Sequence, residues 1–65
     1  MSANNYILIT GKKPLGYYEV NEMDYETDTH LKFIGKSDEL EGAIFIAKEY
    51  KKENYVEYGI DFILN

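Results

Sequence analysis

Apolar and polar residues alternate most cleanly near the end of the chain. Between Tyr55 and Leu64, Val56, Tyr58, Ile60, Phe62 and Leu64 fall on one side of an extended backbone; Glu57, Gly59, Asp61 and Ile63 fall on the other. A period of two predicts a long final strand with one buried face. Just upstream the period changes. At about 100° per residue, Leu40, Ala43, Ile44, Ile46, Ala47 and Tyr50 gather into one stripe opposite Glu41, Lys48, Glu49 and Lys52. This predicts a helix running to about Lys52. Ser37 is placed to cap its first turn, with Asp38 and Glu39 at the positive end of the dipole. Lys48, Lys51 and Lys52 lie near the negative end, and Asn54 is the expected terminator.

The first half of the chain reads as strands. Tyr6 to Thr10 (YILIT) is rich in β-formers and stops at Gly11. Gly11 to Gly16 (GKKPLG) is a turn, with Pro14 fixing φ between two glycines. Tyr17 to about Glu22 returns as the second strand of a hairpin. Tyr18 and Val20 should face the core, and Tyr17, Glu19 and Asn21 should face out. Thr29 to Lys36 is a third strand, with Leu31 and Phe33 on one face and His30 and Lys32 on the other. The order β-β-β-α-β predicts a single small α+β domain over residues 1–65. It is a four-stranded, mostly antiparallel sheet with one helix packed on one face. Strand 4 can lie beside strand 1 or between other strands.

Composition narrows the classes. The chain has 65 residues and no cysteine. A domain this short buries only about 60% of its unfolded surface, so close packing or self-association must supply its stability. Disulfides and thiolate metal sites are excluded. A hydrophobic content of 45%, with 15% aromatic residues, is too apolar for a disordered chain. The first residues have neither a basic nor an apolar signal region. No apolar run approaches the ~20 residues of a membrane span. The expectation is a cytoplasmic protein without a membrane partner. All seven bases are lysine and the pI is near 4.6. Direct nucleic-acid binding is not expected, because guanine and phosphate recognition leans on arginine and positive charge.

The charge is concentrated. Glu19 to Asp28 (EVNEMDYETD) holds five acids and no base, and the rest of the chain balances to zero, so this segment carries the whole net charge of −5. Seven tyrosines are more than so small a core can bury, and tyrosine suits interfaces. Phe45 falls among Glu41, Lys48, Glu49 and Lys52 on the outer helix face, with Gly42 near the same face, an arrangement that suggests close approach by another surface. The expected partner-binding residues are Tyr17, Glu19, Glu22, Asp24, Tyr25, Glu26, Asp28 and Phe45.

The leading expectation is an acidic protein-binding module, an inhibitor or adaptor that occupies a basic surface of another protein, with carboxylates standing in for phosphates. In size, charge and layout only, the chain resembles small acidic inhibitors of phages and mobile elements. A homodimer or other homo-oligomeric scaffold is the alternative, burying Phe45, Ile63 and an exposed sheet edge between copies. A metal- or ligand-binding domain is the third reading. Asp24, Glu26, Asp28 and His30 recur at every second residue and would share a face if extended, although their spacing lacks the glycine and distal glutamate of an EF-hand. No cofactor is expected. No enzyme is expected either. His30 is the only histidine, and the two serines are explained as a cap (Ser37) and a terminal residue (Ser2). Gly11 to Gly16 has P-loop spacing but is followed by Tyr17-Tyr18 in place of Lys-Ser/Thr.

Overall fold

The expected five elements form in the expected order. The computed structural model describes residues 4–64; residues 1–3 and 65, and with them the expectations for Ser2 and the chain start, lie outside the described residues. The strands are β1 (Asn5–Gly11), β2 (Tyr18–Asp24), β3 (His30–Ser37) and β4 (Ile60–Leu64), and the helix is α1 (Leu40–Glu53). They make an α+β fold with one sheet in the order β3-β2-β1-β4. Two pairs are antiparallel, and β4 runs parallel to β1. The parallel pair follows from the crossover. α1 carries the chain back along the length of β3, so β4 must run in the direction of β3, which is also the direction of β1.

The core lies between α1 and the middle of the sheet. Ala43 and Ala47 are fully buried and let the helix approach Ile7, Ile9 and Val20, which are also fully buried. Burying each of those larger side chains contributes about 1.5–3 kcal/mol. Tyr18 and Val20 face this core, as the alternation predicted. The two-residue link after β3 leaves the helix no room to travel. It therefore lies over β3 and β2 and touches β1 only lightly. The far part of the same face stays open, with Phe62 and Leu64 each 47% exposed.

Several local expectations change. The helix begins at Leu40, not after Ser37. Glu39 is the N-cap residue and makes no side-chain capping bond. Ser37 instead ends β3, and its hydroxyl accepts the Glu39 N–H at 3.2 Å. Gly42 makes room for Ser37 of this same chain rather than for an outside surface, because a Cβ there would collide with the serine side chain. The C-terminal expectation holds: the Asn54 N–H and side-chain amide both donate to the Tyr50 carbonyl, at 2.9 and 3.2 Å.

The final strand is half as long as the alternation suggests. Asn5 captures the backbone of residues 55–58 by hydrogen bonds, and Gly59 turns at a φ of 81°, a conformation that favours glycine. Only Ile60 to Leu64 remain for the sheet. Nor is its expected face covered throughout: Val56 and Ile60 pack partly buried against the core, while Phe62 and Leu64 stay exposed. In β3, register shifts opposite Val20/Asn21 and Glu22/Met23 break the simple alternation. His30 and Phe33 thus share a face opposite Met23 and Asn21, while Lys32 opposite Glu22 points to the helix side. Asn21, expected outside, is buried at 9% exposure beneath that open face.

Candidate functional site

The end of the sheet that carries the β2–β3 turn also carries the loop from α1 to β4. The turn is built by its own acids. Asp24 accepts the N–H groups of Glu26 and Thr27 at 2.9 and 3.0 Å, and the Asp28 N–H closes the turn on the Asp24 carbonyl at 2.8 Å. Asp28 sits at φ 56°, where aspartate is tolerated. It accepts the Tyr6 hydroxyl at 2.9 Å. The turn destroys the two-residue period that would align Asp24, Glu26, Asp28 and His30 on one face. Among the described residues no group of three or more acids or histidines is placed to hold a metal ion. His30 Nε2 instead bonds Asn21 Oδ1 at 2.9 Å.

Asn5 ties this turn side to the loop. Its amide donates to Glu22 Oε2 at 2.6 Å and to the Tyr55 carbonyl at 3.1 Å. Its Oδ1 accepts the Glu57 N–H at 3.1 Å, and its carbonyl accepts the Tyr58 N–H at 3.0 Å. Glu22 also accepts the Tyr50 hydroxyl at 2.7 Å. Next to it the Tyr25 N–H donates to the Asn4 carbonyl at 2.8 Å. These bonds from Asn4, just before β1, and Asn5, its first residue, bring Tyr25 and Tyr58 together.

Their rings stack with centroids 3.9 Å apart and 17° between planes. Tyr6 meets Tyr25 edge-on at 6.0 Å and 88°. Tyr6 is buried, whereas Tyr25 and Tyr58 remain about half exposed and Tyr55 is 70% exposed. The Tyr58 hydroxyl is pushed above its ordinary range chiefly by the Glu57 charge, with smaller effects from burial, Tyr25, Glu26 and Tyr55. Tyr6 is raised by burial, by its bond to Asp28 and by the Asp28 and Asp61 charges. The result is a preassembled aromatic slab in a negative field, suited to the aliphatic stems and charged heads of lysine or arginine.

The eight residues expected to bind a partner do not form one surface. Tyr25, Glu26, Asp24 and Asp28 meet at this end, with Asp24 and Asp28 engaged in the turn itself. Glu22 faces the helix side and is held by Asn5 and Tyr50. Glu19 lies near the other end of β2, paired in register with Lys36. Tyr17 is near it, with the Lys36 ammonium 4.7 Å from its ring centroid, beside Ser37 and Asp38. Phe45 stands apart on the outer face of α1, 64% exposed. Sequence reading missed Asn5, Tyr55, Glu57 and Tyr58. The signal was available in the run Asn54 to Gly59, where two tyrosines and a glutamate lie between a helix terminator and a glycine.

Compared with protein-family models, curated proteins and solved structures, the chain matches none. No helix of the described residues is long and apolar enough to cross a membrane.

Proposed function

We propose that this chain is a protein-binding module, an inhibitor or adaptor whose acidic, tyrosine-rich end occupies a basic surface of another protein. One observation carries the reading: the half-exposed Tyr25–Tyr58 stack with Glu26 and Glu57 acting on the Tyr58 hydroxyl. A stacked, backbone-anchored pair loses little freedom on binding, so its apolar area converts efficiently into affinity. The surrounding carboxylates steer a basic partner toward it, and salt weakens that steering.

A lysine- and arginine-rich peptide is the simplest probe. Titrated into isotope-labelled protein at low salt, it is expected to shift the amides of Tyr25, Glu26, Tyr55, Glu57 and Tyr58. The Tyr17–Glu19 end should stay still, and added salt should reverse the shifts. Shifts spread evenly over the chain, or centred on Glu19 and Tyr17, would count against this surface.

A further inference from the structure

The two edges of the sheet differ. β3 carries two register shifts and two lysines, Lys32 and Lys36, features that discourage a sheet edge from pairing with another chain. β4 has neither, and Ile60-Asp61-Phe62-Ile63-Leu64 follows β1 in unbroken register. Beyond Ile60, which packs against the core, both of its faces are open. Phe62 and Leu64 are each 47% exposed on the helix side, and Ile63 is 58% exposed on the other. Among the described residues no strand lies beyond it. An exposed apolar edge of this kind is a template for further strand pairing.

The ladder shows which backbone groups are free. The Ile7 N–H donates to the Gly59 carbonyl at 2.8 Å. By alternation, Gly59, Asp61 and Ile63 turn their polar backbone groups toward β1, while Ile60, Phe62 and Leu64 turn theirs outward. The outward residues are thus the ones whose side chains lie on the partly uncovered helix face.

We infer that this edge pairs with the same edge of a second copy, antiparallel about a two-fold axis at Phe62. Phe62 then bonds the partner's Phe62, Ile60 the partner's Leu64, and Leu64 the partner's Ile60. Every outward N–H and C=O of β4 finds a counterpart. Asp61 falls opposite the partner's Ile63, so no two carboxylates face each other. A shift by two residues toward the chain start is worse, because it sets Asp61 against the partner's Asp61, a like-charge pair that destabilises a sheet. Odd shifts set outward groups against inward ones.

Charge and shape favour a second copy over a basic partner. β4 offers only the Asp61 carboxylate, whereas it complements itself in hydrogen bonding and in apolar character. Pairing makes one continuous sheet with both helices on the same side. Ile60, Phe62 and Leu64 of both copies fill the space between the helices. The acidic ends point in opposite directions and stay free, so the inference stands independently of the proposed partner surface.

Sedimentation velocity over a dilution series tests it. The wild-type chain is expected to shift reversibly from monomer to dimer. Phe62→Lys places two lysines on the axis and should weaken the dimer roughly tenfold or more. It should also leave the circular dichroism of the monomer unchanged, because Phe62 is half exposed. Ile63→Lys places an ammonium opposite the partner's Asp61. That dimer should persist at low salt and become salt-sensitive. A wild-type chain that is monomeric at millimolar concentration overturns the inference. So does a Phe62→Lys variant that dimerises like wild type, or an Ile63→Lys variant that dissociates as Phe62→Lys does.

Discussion

Asn5 bonds to both sides of the tyrosine-rich end of the sheet and holds it together. It fixes Glu22 on one strand and the backbone of Tyr55, Glu57 and Tyr58 on the far loop. At 6% exposure these bonds have little competition from water. Asn5→Ala should therefore destabilise the fold by about 1–3 kcal/mol in urea titration. It should also separate the Tyr58 ring from Tyr25, seen as loss of their ring-current shifts. Tyr50 is the second such residue. Burial first, and then the bond to Glu22, push its hydroxyl up to about 12. The folded chain thus holds this proton more tightly than the unfolded chain, whose tyrosines ionise near 10. The stability involved is fully present below about pH 10 and is lost as pH rises toward 12. Tyr50→Phe should flatten the decline of stability over that window, and an unchanged alkaline slope would contradict the assignment. None of these contacts is visible in a sequence pattern, because each joins residues far apart in the chain whose pairing depends on strand order.

At the level of elements, what was legible was whatever periodicity controls. The 3.6-residue stripe located α1, and the inward positions Tyr18 and Val20 emerged from the two-residue alternation of β2. What escaped was what neighbours decide. Tyr55 to Tyr58 keep perfect alternation yet form a loop, because Asn5 satisfies their backbone before a ladder can. The acidic stretch alternates too, yet Asp24 folds it into a turn. Ser37 has every mark of an N-cap, yet the chain needs it to finish β3. That last difference is testable. Glycine inside a helix costs about 1 kcal/mol against alanine, so Gly42→Ala would ordinarily raise the melting temperature. Here the new methyl meets Ser37 and displaces the hydroxyl that holds the Glu39 N–H. No rise is expected in the single variant, and adding Ser37→Gly should recover the gain. A stabilised single variant would show that the helix start is looser than described.

At the scale of the whole molecule, the net charge of −5 and the topology act together. The order β3-β2-β1-β4 sets the β2–β3 turn and the α1–β4 loop at the same end of the sheet. Acids and tyrosines from both therefore become a single surface, although Glu26 and Glu57 are far apart in sequence. Charge concentration alone pointed to the segment that forms the β2–β3 turn. It could not show that Glu22, Asp24 and Asp28 are engaged in holding the fold while Glu57 and Tyr58 complete the exposed face. Carboxylates engaged in hydrogen bonds still contribute to the negative field that would steer the proposed basic partner; they simply offer fewer free lone pairs.

The most direct test of this account is a tagged capture from source-cell lysate at low and high salt. The wild-type chain would be run beside a Glu26→Gln, Glu57→Gln, Tyr58→Ala triple variant, with mass spectrometry of what each retains. A basic protein should be held by the wild type at low salt, released at high salt and absent from the variant. The same protein retained by the variant, or a partner indifferent to salt, would contradict it.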